Sequence, residues 1–222
     1  MNYIILLIIV VIVAIVVVRW KSESSITYLW GFKPNEKHEP NQKIITYNKR
    51  WKRFYNIIYP NTIDEYLTYY PTVEKLYQKI SDKNWVVRTD IGRLLYLYHK
   101  GGLYLDMDCE IKADIPSFNG VILFIEKTVD VNMLGPREEK NSVRIANYAI
   151  YSKNKHDPFI KNVLEECMNR LNQIDRIVSH EDILWVCGPD VITTVYHRTK
   201  NTFNIKLLGP GYIKHYKTGS WR

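Results

Sequence analysis

The segment KGGLYLDMDCEIK, residues 100–112, places acidic side chains at the end of a short apolar run. Asp106 and Asp108 stand two residues apart, and side chains with that spacing on an extended strand point the same way. Two carboxylates held close together repel, and one would be protonated unless a cation lies between them. A hard divalent cation, Mn²⁺ or Mg²⁺, accepts carboxylate oxygens and often completes its shell with a substrate phosphate. The pattern therefore predicts a metal site that carries a diphosphate.

A helix is predicted immediately before the acidic segment. Apolar residues in RTDIGRLLYLYHKGG (88–102) recur with helical spacing. Thr89 is expected to cap the start of this helix, Asp90 to lie in its first turn, and Gly101 to end it. The apolar strand that follows is predicted to pair with VILFI (121–125), so helix, strand and acids form one unit.

The rest of the chain alternates between strand and helix patterns, which indicates an α/β sheet. Strands are predicted over 25–30, 43–48 and 205–208, and helices over 72–81, 157–174 and 189–199. The last residues, 209–222, show no regular period. Ligands of open α/β sheets bind beyond the carboxyl ends of strands, and the acidic segment occupies such a position.

The amino-terminal residues are apolar, with no charge before Arg19. A membrane-spanning helix needs about 20 such residues, so we predict a transmembrane anchor over 1–20, a stalk over 21–25 and a catalytic domain over 26–222. A cleaved signal peptide is the alternative, but it would need basic residues before the apolar run. Arg19 and Lys21 follow the run, which favours a cytoplasmic main domain.

Composition narrows the function classes. The 222 residues include 31 Lys or Arg and 23 Asp or Glu, a formal net charge of +8. Such a surface attracts anions, among them phosphate-bearing substrates and lipid headgroups. The chain has no nucleic-acid-binding motif, so no nucleic-acid partner is expected. Three cysteines are too few for a disulfide framework.

The segment TDIGRLLYLYHKGGLYLDMDCEI resembles the sugar-binding region of the Asp-x-Asp glycosyltransferases, which are related to fungal α-mannosyltransferases, sphingolipid hexosyltransferases and the core of clostridial glucosylating toxins. The positions that match at the family's spacing are Asp90, Arg93, Gly101, Gly102, Tyr104, Asp106 and Asp108. Shorter stretches that resemble the family are ITYLWG, NYAIYSKNKHDPF, GPDVIT and HYKTGSW. The resemblance implies an α/β, GT-A-like, Rossmann-type nucleotide-sugar-binding domain with a mixed sheet.

The resemblance also implies roles for single residues. Asp108 would bind the metal directly, and Asp106 would reach it through water or hold donor hydroxyls. Asp90 and Arg93 would hydrogen-bond the donor sugar; an ordinary helix ion pair is the alternative. His215 would be a third metal ligand. Trp30 would stack on the nucleotide base. Ser220 and Trp221 would close over the diphosphate as a lid, and Lys214 and Lys217 would add positive charge there.

The reaction implied is retaining transfer of a hexose from a UDP- or GDP-hexose to a hydroxyl of a glycan, glycolipid or protein. No carboxylate stands out as the nucleophile of a double displacement, so front-face substitution is preferred. The acids considered for that role are Glu126, Asp130, Glu138, Glu139, Glu181 and Asp182.

Two other function classes stay open: a membrane-anchored, non-catalytic nucleotide-sugar or glycan-binding protein, and a haloacid-dehalogenase-type phosphatase with Asp106 as nucleophile. Anchored members of the resembling family usually face the secretory lumen, which implies an ER/Golgi-type or host membrane. The charge bias around the anchor points the other way, so the orientation stays open.

Overall fold

The computed structural model describes residues 5–14, 25–52, 54–128 and 143–217. Its strands are β1 (Ser25–Leu29), β2 (Phe54–Ile58), β3 (Gly102–Leu105), β4 (Cys109–Ile111), β5 (Val121–Thr128), β6 (Val143–Ser152), β7 (Ile205–Leu208) and β8 (Ile213–His215). Its helices are α1 (5–14), α2 (Gln42–Asn48), α3 (Pro60–Leu67), α4 (Pro71–Gln78), α5 (Trp85–Lys100), α6 (Pro158–Leu171), α7 (His180–Val186) and α8 (Pro189–Thr199).

Six strands form the central sheet in the order β2-β1-β3-β6-β5-β7, and β4 pairs with β8 in a separate two-stranded sheet. All pairings in the large sheet are parallel except those of β6 with β3 and with β5, so the predicted mixed sheet is confirmed. The predicted pairing of β3 with β5 is wrong, because β6 lies between them. The carboxyl ends of β1, β3 and β5 meet at one edge, where ligands of such sheets bind.

Two apolar layers cover the sheet. One contains α5, whose Val87, Ile91 and Leu95 are fully buried, packed among residues of α3, α4, α6 and α8. The other lies between the opposite sheet face, α2 and the two-stranded sheet. The core therefore fixes α5 and β3, the two elements that flank the acidic segment, from both sides.

The start of α5 differs from the prediction. The helix begins at Trp85, and the Thr89 hydroxyl donates to the Trp85 carbonyl at 3.0 Å instead of capping the helix. Asp90 consequently lies in the second turn and is buried, away from the amino-terminal dipole that was expected to favour its charge. The predicted end is confirmed, because Gly101 follows the helix with φ 69°.

Other boundaries show where local signals succeed. Asp157 caps α6 by accepting from Phe159 N–H at 2.9 Å, with Pro158 in the first turn as predicted. Segments 189–199 and 205–208 form α8 and β7. The strand predicted over 43–48 is wrong: this stretch is helix α2, whose first turn is capped by the Asn41 side chain.

No helix among the described residues is long and apolar enough to cross a membrane. Helix α1 covers 5–14 of the predicted anchor, and residues 1–4 and 15–24 lie outside the described part of the chain. The anchor and stalk therefore stay predictions.

Candidate active site

A cavity of about 640 Å³ opens at the edge where the parallel strands end. Nearly every site residue predicted from the sequence and described by the structure lines it. These are Trp30, Asp90, Arg93, Asp106, Asp108, His215 and Lys217. Ser220 and Trp221 lie outside the described residues. Lys214 does not line the cavity; it is exposed, with its ammonium 4.4 Å from the Tyr216 ring centroid.

The two aspartates of the motif lie on a turn. Strand β3 ends at Leu105, and the Cys109 N–H donates to the Asp106 carbonyl at 3.0 Å before β4 begins. The prediction that both acids point one way along a strand is therefore wrong. The turn instead gives Asp106 and Asp108 different partners, both within the same cavity.

Asp106, whose side chain is 27% exposed, contacts a buried ion pair on α5 that is held against β6. Arg93 Nη2 lies 2.7 Å from Asp90 Oδ1 and 3.3 Å from Asp106 Oδ1. Its other terminal nitrogen donates to the Asn147 carbonyl at 2.6 Å, and the Asn147 amide donates to Asp90 at 3.2 Å. The Tyr104 hydroxyl donates to Asp106. Asp90 and Arg93 do form an i, i+3 ion pair, yet the pair is buried and faces the cavity.

Burial controls the protonation of this network. It raises the pKa of Asp90 to about 7, an effect that Arg93 opposes and Asp106 reinforces. Burial alone lowers the pKa of Arg93, but Asp106, Tyr104 and Asp90 together raise it above its ordinary value. Arg93 thus stays a cation, while Asp90 can accept or donate a hydrogen bond near neutrality. Such a group suits the hydroxyls of a sugar.

Asp108 belongs to the small sheet. Strand β8 places His215 opposite Cys109, so that His215 Nε2 lies 3.2 Å from Asp108 Oδ1. The Tyr216 N–H donates to the Asp108 carbonyl at 3.0 Å. The His215 ring packs on Tyr148 with centroids 4.3 Å apart, and its buried Nδ1 has no hydrogen-bond partner among the described residues. The tail that showed no sequence period therefore supplies a strand and an imidazole to the site.

Donor atoms of Asp108, Cys109 and His215 all lie within 4.8 Å of one another. Burial raises the pKa of the Cys109 thiol well above its usual value, and Asp106 and Asp108 raise it further. A protonated thiol is a poor ligand for a hard cation. The Asp108 and His215 atoms, 3.2 Å apart, match neighbouring ligands around an ion with bonds of about 2.1 Å. This pair fits a divalent cation.

Asn48 holds β4 in place. Its amide donates to the Tyr28 hydroxyl and to the Cys109 carbonyl, each at 2.9 Å, and its oxygen accepts from Ile111 N–H at 2.9 Å. The side chain is fully buried. Asn48 therefore sets the position of the turn and, through β4, of His215. No spacing or motif in the sequence marks it.

A second ion network lines the far side of the cavity. Arg144 at the start of β6 lies 3.1 Å from Glu126 and 2.9 Å from Asp190 of α8. Glu126 and Arg144 both face the cavity. At the opposite wall, Trp30 is half-buried and its indole N–H donates to the His38 carbonyl at 3.1 Å. The cavity thus combines an aromatic wall with two arginines and several carboxylates.

Comparison with known proteins agrees with this geometry. Residues 31–140 match the family profile described as "Glycosyltransferase sugar-binding region containing DXD motif". The structure of "PaToxG Glycosyltransferase" has a TM-score of 0.57 and is 18% identical, covering 81% of this chain and 73% of that one. The UDP-bound glycosyltransferase domain from the YGT toxin scores 0.48 at 10% identity, covering 71% of this chain and 53% of that one. No curated protein matches the chain.

The likeness to the first structure supports the GT-A-like fold, and the profile covers the helix, the strand and the acidic turn described above. The phosphatase and the non-catalytic binding protein gain no support from these matches. Residues 31–140 thus match a glycosyltransferase sugar-binding region of the DXD type, as the resemblance predicted.

Proposed function

We propose that the chain is a membrane-anchored, metal-dependent, retaining glycosyltransferase that moves a hexose from a UDP- or GDP-hexose to an acceptor hydroxyl. The observation that carries the proposal is that two different groups of residues line one cavity. One is the buried pair of Asp90 and Arg93 together with Asp106, and the other is the pair formed by Asp108 and His215. The first suits a sugar, and the second suits a cation.

The network side is the proposed sugar subsite. Arg93 offers donors, and Asp90 and Asp106 offer acceptors, in positions that the core holds rigid. A polar group in such a site is already paired before the donor binds, so little reorganisation is needed when the sugar arrives. Trp30, on the opposite wall, presents an aromatic face for the nucleotide base.

On the other side, Asp108 and His215 would hold Mn²⁺ or Mg²⁺. When bound, the cation neutralises charge on the diphosphate leaving group. Lys217 lines the same part of the wall and adds a positive charge that favours the same group. The proposed roles of Ser220 and Trp221 as a lid lie outside the described residues.

Front-face substitution stays the proposed route to retention. Of the acids considered as nucleophiles, Glu126 is bound to Arg144, and Asp182 is used as the capping partner of Ser179 in α7. Glu181 lines the cavity. The remaining acids, Asp130, Glu138 and Glu139, lie outside the described residues. Retention is checked by the anomeric configuration of the first product by NMR, and an inverted product would contradict it.

A donor screen tests the reaction. The full chain is incubated with UDP- and GDP-linked glucose, galactose and mannose, and release of the nucleoside diphosphate is measured. We expect release from at least one of these donors, increased by a glycan, glycolipid or protein acceptor. The absence of release from every donor, with folded protein, would contradict the assignment of a hexose donor.

Metal dependence is tested on the same release. A chelator should abolish it, and Mn²⁺ or Mg²⁺ should restore it. Activity that survives the chelator would remove the metal from the proposal and leave the sugar subsite standing.

The membrane anchor is supported by the apolar side chains of α1. Ile5, Leu7 and Val11 are 51%, 65% and 48% exposed, so nothing in the described chain covers them. Removing about 20 such residues from water is strongly favourable. The proposed location is an ER/Golgi-type or host membrane. Retention of the full chain in membranes after alkaline extraction is expected, and release into the supernatant would contradict an anchor.

A further inference from the structure

One end of the central sheet is rich in cations. Strand register places Ser25, Phe54, Gly102, Val121 and Ser152 side by side at the end opposite the cavity. The segment 117–120, which enters β5 there, carries no charge. Four other segments at this end, 49–52, 99–101, 153–156 and 200–204, form what we call the basic edge. They serve β2, β3, β6 and β7, and so span the sheet, a width of about 24 Å at the usual strand spacing.

The basic edge contains cations but no acids. Its charged residues are Lys49, Arg50, Lys52, Lys100, Lys153, Lys155 and Lys200, and it also carries His99 and His156. Five of the seven cations are exposed, and Lys52 and Lys153 are half-buried. Asp157, the next residue after one segment, is buried as the cap of α6 and does not offset this charge at the surface. The charged residues of the basic edge are therefore all cationic.

Aromatic rings support several of these cations. The Lys49 ammonium lies 5.0 Å from the Tyr55 ring centroid, and the Arg50 guanidinium lies 4.7 Å from that of Tyr47. The Lys100 ammonium lies 5.6 Å from the Tyr66 ring. Trp51 is half-buried within the same segment. Cations beside amphipathic aromatic side chains are the composition of a protein surface that meets a membrane interface.

The position of β1 connects this edge to the predicted anchor. The first residue of β1, Ser25, lies beside Phe54, directly after the segment 49–52. The chain that arrives from residues 1–20 therefore enters the domain at the basic edge. The cavity, at the other end of the strands, faces away from that entry point.

We propose that the basic edge docks on the anionic headgroups of the membrane that holds the anchor, with the active site directed away from the bilayer. The proposal rests on the proposed function, because it takes the anchor from it. Each Lys or Arg near an anionic leaflet strengthens binding about fivefold, an effect that salt screens. Free phosphate or nucleic acid would be attracted by the same charge, but neither explains why the charge lies where the anchor enters.

The test measures lysine acetylation on the full chain in vesicles. Neutral phosphatidylcholine vesicles are compared with vesicles that also contain phosphatidylserine. Lys49, Lys100 and Lys155 should react about fivefold more slowly in the anionic vesicles. Three exposed lysines outside the basic edge, Lys37, Lys79 and Lys83, should react equally in both kinds of vesicle. Lys83 lies two residues before Trp85, the first residue of α5, which lines the cavity.

Two charge-matched variants sharpen the test. In the wild type, anionic vesicles should also protect Lys200 from acetylation. This protection should be lost in a triple variant of the basic edge, Lys49→Glu, Lys100→Glu and Lys155→Glu. It should be kept in a triple variant outside the edge, Lys37→Glu, Lys79→Glu and Lys83→Glu. Both variants lower the net charge equally, so a difference between them reports position. Circular dichroism confirms that each is folded.

The outcomes separate the surface from the anchor. Equal acetylation in both vesicles overturns docking, even if alkaline extraction shows that the anchor holds. Protection by anionic vesicles without retention in neutral ones supports docking and contradicts the anchor. Stronger protection of the same lysines by DNA than by anionic vesicles overturns the proposal in favour of nucleic acid.

Discussion

The two acids of the motif are held by different parts of the molecule. Asp106 follows a strand of the central sheet and joins Arg93 and Asp90, which are buried between α5 and β6. Asp108 precedes a strand of the small sheet and meets His215, and each of their side chains is 19% exposed. The Asp106 side chain is itself 27% exposed, so the contrast lies in the partners: Asp106 meets a buried ion pair, whereas Asp108 meets a half-buried imidazole.

The difference has a chemical consequence. Sugar hydroxyls are recognised by fixed donors and acceptors, and the main core provides these on the Asp106 side. A cation and its diphosphate must enter and leave, and the small sheet places their proposed ligands where solvent reaches them. We therefore expect changes on the Asp106 side to cost both stability and activity, and changes on the Asp108 side to cost activity with little loss of stability.

The largest expected loss of stability is that of Arg93→Met. It leaves the buried Asp90 without its cation and Asp106 without one of its partners, so the free energy of unfolding should fall by about 3–5 kcal/mol. Urea denaturation measures it. The control is Arg198→Met, which removes an exposed pair with Glu166 and should cost less than about 1 kcal/mol. Similar losses in both variants would show that burial of the network does not matter.

Asp108→Asn should have the opposite profile. The side chain keeps its shape but loses the charge that faces His215, and sugar-nucleotide turnover should fall by about 10²–10³-fold with little change in stability. Nucleoside diphosphate release at saturating Mn²⁺ measures the effect. Asp114→Asn, in an exposed loop that does not line the cavity, is the matched control. Wild-type turnover in Asp108→Asn would contradict the assignment of Asp108 as a metal ligand.

Asn48→Ala tests how the small sheet is positioned. The substitution leaves the Cys109 carbonyl and the Ile111 N–H unpaired in the core, at a cost of about 2–3 kcal/mol. Because β4 then loses its link to α2, the Mn²⁺ concentration needed for half-maximal activity should also rise, by about tenfold. Asn56→Ala, an exposed position on β2, is the control. A stability loss without any change in the Mn²⁺ requirement would limit Asn48 to a structural role.

The same contrast explains what the sequence could predict. The helix, its end at Gly101 and the acids form a local pattern, so spacing predicted these elements next to one another, whereas the roles of Asp90 and Arg93 came from the resemblance. The Asp108 side depends on pairing between segments about 100 residues apart, 109–111 with 213–215. No local periodicity encodes such pairing, and only the resemblance indicated His215.

Two errors have physical reasons as well. Segment 43–48 alternates weakly like a strand, but the Asn41 cap and burial of Ile45 and Asn48 on one side favour the helix. Asp90 was expected at a helix start, yet Trp85 and Val87 extend α5 upstream because they pack in the cavity wall and core. In both cases tertiary burial outweighed a local signal.

The last expected effect concerns the pH dependence of the Asp106 side and appears only as a gradual change in stability. Burial raises the pKa of Asp90 from 3.8 to about 7, so the folded state binds a proton more tightly than the unfolded state does. Its contribution to stability is complete below about pH 4 and is lost as pH rises through about 7, by at most about 1.4 kcal/mol per pH unit. Asp90→Asn cannot titrate, so its unfolding free energy should lack this decline. Urea denaturation from pH 5 to pH 8 on both proteins measures it. Parallel curves would mean that Arg93 keeps Asp90 ionised throughout, and the sugar subsite would then offer only an acceptor at this position.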